Sequence, residues 1–360
     1  MTYQMKKPIN FFTVKGNHRE IGQQIGEMCK DEIHHSIESA RGLIDALSNE
    51  LVMDWKRAAL QVKKYFPHVV EYYPQYLEEL YGISEGSNSS IDDLFILNAF
   101  EGIVMDRLHL SKCTSLAVNQ SRTVNQRVLV AHNEDWFPDD EADVYLVKVD
   151  VEDEPPFIAM SYGGLLPNIG FNASGIAQCC DTVYPKEKRI GIPRVVVARA
   201  VLGARTISEA IQRAISPHRA AGYNHLIAHE SGELYNIEVS AYNFSLLYGT
   251  TGYLAHTNHY LSSKMQSLEQ EPEQLNDSHI RYNRAVRLIE SIEKHDLISL
   301  QNIQRDHVNF PYSICCHATS GENAYDREKT ICAVVMDLSE KVLYLTWGNP
   351  CQNLYYPYPL

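Results

Sequence analysis

Cys113 is the residue of this chain best placed for nucleophilic chemistry. It stands near the head of Lys112-Cys113-Thr114-Ser115-Leu116-Ala117-Val118, a run that becomes strand-like directly after it. If the Lys112–Cys113 peptide bond is cut, Cys113 gains a free α-amine beside its thiol. An α-amine titrates at about 7.7–8.0 and a thiol at about 8.5, so near neutral pH that amine can take the thiol proton; a lysine, at about 10.4, cannot. Nucleophile and base then reside in one residue. The plainer role for such a cysteine is an inert, buried core thiol.

Three further clusters carry polar side chains. His132-Asn133-Glu134-Asp135-Trp136 ends the second strand-like run after Cys113, and a hairpin of the two runs would bring Asp135 beside Cys113. By composition alone it reads equally as a solvated acidic loop. His256-Thr257-Asn258-His259 lacks the helical His-Glu-x-x-His frame and an evident third ligand, so no metal is expected there. Asn258 suits a different task, that of a neutral donor to a developing oxyanion. Ser313-Ile314-Cys315-Cys316-His317 contains a vicinal cysteine pair, capable of redox chemistry but more often simply buried. No cofactor is expected.

The elements that must position these groups change character at Cys113. Before it, Ile21, Ile25, Met28, Ile33, Ile37, Ala40, Ile44 and Leu47 recur at helical spacing from Arg19 onward, and predict one amphipathic helix. Further helices are predicted from about Leu51 to Tyr65, after Pro74, and from Ile91 to Val104, the last opened by Ser90 and Asp93 as a capping box. After Cys113 the period is two: Val128 to Val130, Val144 to Val149, Phe157 to Tyr162 and Ile176 to Cys180. Helices from Val195 and Thr206 then precede a meander over 224–248. Helices near 278–292 and 299–308 precede closing strands at Ile331 to Met336 and Val342 to Thr346. This order predicts an α+β fold of two sheets covered by helices on both outer faces, residues 1–112 forming a helical segment that packs as one unit with 113–360.

Composition bounds the function. A chain of 360 residues, 44% hydrophobic, can bury a large core. Its net charge of -13, from 45 acidic and 32 basic residues without a basic block, argues against a nucleic-acid partner. No run of about 18 apolar residues predicts a membrane span. The stretch from Ile9 to Val14, interrupted by Asn10, is too short for a signal-peptide core. The eight cysteines follow neither a disulfide framework nor a Cys-x-x-Cys spacing, which predicts a cytoplasmic protein.

Taken together the motifs resemble the acyl-coenzyme A:6-aminopenicillanic acid acyltransferases, or isopenicillin N acyltransferases, among the N-terminal nucleophile (Ntn) hydrolases. The resemblance runs in family order through residues 76–86, Cys113-Thr114-Ser115, Asn133-Glu134-Asp135-Trp136, Gly170-Phe171-Asn172-Ala173-Ser174-Gly175, His256-Thr257-Asn258-His259 and Phe310-Pro311-Tyr312-Ser313-Ile314-Cys315. It implies a four-layer αββα sandwich that cuts itself before Cys113. It further implies Asp135 orienting the freed amine and Asn258 stabilising the oxyanion, with Thr114, His132, Asn133, Trp136, His256, His259 and Cys316 in supporting places. The substrate would be a small acylated or peptide-like compound, an amide or thioester, with water or an amine as acyl acceptor. Two residues depart from the family pattern: Lys112 stands where glycine is usual, and Cys316 where arginine is common. Two other readings follow from the residues, a papain-like hydrolase with His132, His256 or His259 as base, and a non-catalytic binding relative.

Overall fold

The first 112 residues are not purely helical. The computed structural model describes residues 9–46, 48, 53–103, 112–319 and 328–360; Leu47, Leu51 and Val104, which bear on the expected helix ends, lie outside them. Asn10–Gly16 forms strand β1, with Phe12 and Val14 turned inward, and pairs in parallel with Val144–Val151. The N-terminal segment thus supplies a sheet strand that the sequence reading passed over as too short an apolar run.

Six helices follow among the described residues: α1 (His18–Met28), α2 (Lys30–Ala46), α3 (Trp55–Val62), α4 (Phe66–Tyr72), α5 (Pro74–Ser87) and α6 (Ile91–Ile103). The single helix expected from Arg19 is two. The backbone leaves helical geometry at Cys29 (φ -118°, ψ 28°), and Met28, counted on the apolar stripe, is exposed. Gly22 and Gly26 of α1 meet Gly82 and Gly86 of α5, where an added Cβ would collide with the facing backbone. These helices are anchored to the rest by Arg199, fully buried, which pairs with Glu79 of α5 at 2.6 Å and with Glu154 at 3.0 Å.

From Lys112 the strands are β2 (Lys112–Val118), β3 (Leu129–Trp136), β4 (Val144–Val151), β5 (Phe157–Tyr162), β6 (Ile169–Asn172) and β7 (Ile176–Asp181). Helices α7 (Arg194–Leu202) and α8 (Ile207–Ala214) precede β8 (Tyr223–His229), β9 (Leu234–Val239), β10 (Phe244–Tyr248) and β11 (Tyr253–His256). Helices α9 (Asn276–Glu290) and α10 (Leu297–Gln304) lead to β12 (Lys329–Asp337), β13 (Val342–Trp347) and β14 (Tyr356–Pro359). One sheet has the order β1-β4-β5-β6-β7-β8-β9-β10 and the other β11-β2-β3-β12-β13-β14.

The alternation of side chains decides what each sheet face meets. On β2 and β3, Leu116, Val118, Leu129 and Ala131 pack against Ala285, Ile289, Leu300 and Ile303 of α9 and α10. Their neighbours Ser115 and His132 point the other way, where Ser115 reaches Asp181 of the first sheet. On the first sheet, Ile176, Cys180, Ile227 and Ile237 pack under Ala198, Val201, Ala210 and Ala214 of α7 and α8. The fold is therefore mixed α+β: an N-terminal helical region and two β-sheets whose polar groups meet between them.

Candidate active site

Strand β3 runs from Leu129 through Trp136, so the His132–Trp136 motif ends the strand, as the hairpin reading expected, and is not a solvated acidic loop. Register fixes the consequence: Cys113 pairs with Glu134, and Lys112 with Asp135. Residues directly opposite share a face. The side chain beside Cys113 is therefore Glu134, not the expected Asp135. The Cys113 Sγ–H points to Glu134 Oε2 at 3.8 Å, and Tyr162 donates to Glu134 Oε1 at 3.1 Å. His132 Nε2 lies 2.8 Å from the same Oε2, and its Nδ1 lies 2.9 Å from Ser115 Oγ. Ser115 gives its one hydroxyl proton to Asp181 at 2.8 Å, so His132 Nδ1 must be the donor to Ser115. A single proton then remains to be shared between His132 Nε2 and Glu134.

The thiol is buried, and burial pushes its pKa well up; the negative charges of Glu134, Asp181 and Asp135 push the same way, against a backbone N–H of Asp135. Asp135 thus reaches Cys113 through its main chain. Its carboxylate faces outward, where Oδ1 accepts from Thr330 Oγ1 at 2.6 Å and Oδ2, though buried, has no hydrogen-bond partner among the described residues. Burial raises the Asp135 pKa well above the usual range, with Arg281 and the Thr330 bond opposing.

Asn258 is brought to Cys113, but by its acceptor oxygen. Oδ1 takes the Cys113 backbone N–H at 2.9 Å and Arg281 Nη2 at 2.8 Å, while Nδ2 donates to the Thr182 carbonyl at 3.0 Å. Arg281, from α9, also donates to the Cys113 carbonyl and to Thr114 Oγ1. Its guanidinium is 1% exposed, a site residue that sequence reading missed because nothing in a helical Arg signals a partner 168 residues away. Cys316 lies buried in the same outer cluster, its backbone N–H on Thr330 Oγ1. The place that lacks the common arginine is accordingly faced by two cations, Arg281 and Lys112. Lys112 itself is held by Glu328 at 3.4 Å and over the Tyr312 ring at 4.3 Å.

The other expected residues are supports. Asn133 holds the carbonyls of Gln304 and Ile314 at 3.1 and 2.8 Å, away from the thiol. His256 bonds the Thr257 carbonyl and Glu238; burial opposes its charge, but Glu238 and Asp181 outweigh burial and raise its pKa. His259 hydrogen-bonds Ser278, whose Oγ accepts the Asn258 N–H, and burial and the adjacent His279 ring push its pKa down to about 2. Both imidazoles are engaged as hydrogen-bonding struts. Trp136 and Glu134 line a cavity of about 370 Å³ between α2, α6 and the first sheet. Leu43, Leu97, Phe100, Phe137 and Met160 make it largely apolar; its charged lining residues, among those described, are the acids Glu38, Glu134, Asp139 and Asp140.

Residues 121–352 match the family described as acyl-coenzyme A:6-aminopenicillanic acid acyl-transferase, a span that begins just after Cys113 and takes in most of both sheets. The 40 kDa form of acyl-coenzyme A:6-aminopenicillanic-acid-acyltransferase from Emericella nidulans is 24% identical over 344 residues, covering 94% of this chain and 92% of that protein. The beta-alanyl-dopamine/carcinine hydrolase of Drosophila melanogaster is 26% identical over 164 residues, 40% of this chain and 41% of that one. Among solved structures, penicillin V acylase from Agrobacterium tumefaciens superposes with a TM-score of 0.47 at 14% identity, over 65% of this chain and 83% of that chain. With more than half of its length matched, the chain belongs to the acyl-coenzyme A:6-aminopenicillanic acid acyl-transferase family.

Proposed function

We propose that the protein is an Ntn-type acyl hydrolase or acyltransferase of αββα architecture, in which Cys113, exposed by self-cleavage, attacks an amide or thioester. One observation carries the reading: the Cys113 thiol faces the Glu134 carboxylate, which lines a largely apolar cavity, while its main-chain N–H is held by Asn258. In maturation, Glu134 takes the thiol proton and sulfur attacks the Lys112 carbonyl. The C–N bond then breaks as that proton passes to the departing nitrogen, and water releases the resulting thioester. In turnover, the new α-amine takes the thiol proton, with Asp135 Oδ2 available as its acceptor. The substrate acyl group transfers to sulfur and then to water or an amine. The second hydrogen of Asn258 Nδ2 and backbone N–H groups serve the oxyanion.

The acidic, otherwise apolar cavity lining favours neutral or amine-bearing acyl compounds over carboxylates. The thiol-rich, disulfide-free chain suits the cytoplasm. A second reading keeps the chain uncut and uses His132, relayed through Glu134, as base; the contact between the two supports it. The test of the function is acyl-enzyme trapping. Brief exposure to a panel of N-acyl amines and acyl thioesters should leave an acyl mass adduct on the peptide that begins with Cys113, and none on Cys113→Ala. Adduct formation on another residue would contradict the assignment.

A further inference from the structure

Away from the Cys113 site, His307, Cys315, His317 and Cys351 converge their ligand atoms, all within 4.8 Å of one another. His307 Nε2 and His317 Nε2 are 3.1 Å apart. Cys315 Sγ and Cys351 Sγ lie 3.5 and 3.4 Å from His317 Nε2. A tetrahedral zinc with Zn–N near 2.05 Å and Zn–S near 2.3 Å requires N···N of about 3.3 Å and N···S of about 3.5 Å. The observed spacings fit that polyhedron, and the set is Cys₂His₂, the donor chemistry zinc prefers.

We propose that these four residues bind one zinc ion in a closed, structural site. Four protein ligands leave no position for water or substrate, which separates a structural from a catalytic zinc. On binding, Cys315 and Cys351 release their thiol protons to solvent and bond as thiolates. Asn349 supplies outer support, its Nδ2–H donating to Cys315 Sγ at 3.5 Å and to the Cys316 carbonyl at 2.6 Å. His307 is exposed, giving the ion a way in. The ion would tie the loop after α10 to the turn after β13. That loop carries Cys316, whose N–H rests on the Thr330 hydroxyl that holds Asp135. The motif eluded sequence reading because its ligands, at 307, 315, 317 and 351, follow no standard zinc spacing.

The test uses the full-length protein, reduced and stripped with a chelator, then titrated with zinc against a chromophoric chelator and separately with cobalt(II). One tight equivalent is expected, together with the visible bands of tetrahedral thiolate-bound cobalt. Cys113→Ser should retain both, since its cluster with His132 and Glu134 is the rival thiol-bearing group among the described residues. Cys351→Ser should lose the thiolate bands in proportion and weaken binding by more than Asn349→Ala, for which about 10–100-fold is expected. His307→Ala, altering an exposed side chain, keeps the test open should Cys351→Ser misfold, and should also weaken binding. Absence of a tight equivalent in reduced wild type, unchanged affinity in His307→Ala, or loss of binding in Cys113→Ser would each overturn the proposal. A Cys315–Cys351 disulfide in anaerobically purified protein that excludes zinc would do the same.

Discussion

On the inner face of the β2–β3 hairpin, hydrogen bonds run from thiol to carboxylate to imidazole to hydroxyl to a second carboxylate, through Cys113, Glu134, His132, Ser115 and Asp181. On the outer face, one residue along each strand, Asp135 sits in a cluster with Arg281, Lys112, Thr330 and Cys316. The outer group balances buried charges against one another, as structural ion networks do. The inner group does the reverse, crowding acceptors around a thiol and holding it protonated in the intact chain. On the proposed function, the thiol chemistry starts on the face crowded with acceptors, and the face that holds Arg281 and Lys112 supplies Asp135 as acceptor for the freed amine.

The largest expected effect comes from removing the proton acceptor of the inner face. Glu134→Gln keeps the side-chain shape and should slow self-cleavage about 10²–10⁴-fold with the melting temperature nearly unchanged, read as the rate at which the two chains appear. A matching fall in melting temperature would show that Glu134 is structural and the contrast between faces is wrong. On the outer face, Arg281→Ala leaves Asp135 buried without its main cation and should cost about 3–5 kcal/mol in denaturant unfolding. Should it unfold normally and lose only activity, the outer face is catalytic too.

Asn258 spans both faces. In protein already cut, Asn258→Ala should lower kcat about a hundred- to a thousandfold, or 2.7–4 kcal/mol, with a smaller change in KM. If its contacts with Cys113 and Thr182 serve only to hold β11, stability will fall and kcat will not. Cys316→Arg adds a third cation to a buried cluster already faced by Lys112 and Arg281, and should destabilise by about 1–3 kcal/mol from overpacking alone. A gain in both cleavage and turnover would instead mark the natural site as short of a cation.

The smallest effect concerns pH. His259 has its folded pKa depressed from 6.5 to about 2, so the unfolded chain binds more protons below 6.5 and stability falls with pH there. His259→Asn should be less stable than wild type at pH 7.5, and this deficit should shrink by about 1–2 kcal/mol at about pH 5, where wild type bears the cost of an uncharged histidine. A deficit that is constant with pH would mean that His259 charges in the folded state.

Much of this arrangement was legible from residues. The meander over 224–248, the strand that carries Cys113 and the helices around 278 and 299 follow from alternation and caps. What sequence reading mistook was parity. The hairpin of the two strands was expected, but it was taken to bring Asp135 beside Cys113, whereas the register pairs Cys113 with Glu134 and sends Asp135 to the opposite face. Counting the alternation back from the apolar Val128–Val130 run would have revealed it. Arg281, by contrast, left no local trace; only the close approach of α9 to β2 gives it partners. Lys112, which stands where glycine is usual in the family, is fixed by Glu328 and Tyr312.

The central claim is that Cys113 becomes an N-terminus, and the intact mass of wild-type protein under denaturing conditions, followed over time at neutral pH, tests it most directly. The account predicts two chains, the larger beginning at Cys113, that remain associated under native conditions because β1 and Arg199 bind the first segment to the second. Cys113→Ala should stay whole. A wild-type chain that keeps its full 41.0 kDa and still cleaves an amide would contradict the claim and leave His132, acting through Glu134, as the base.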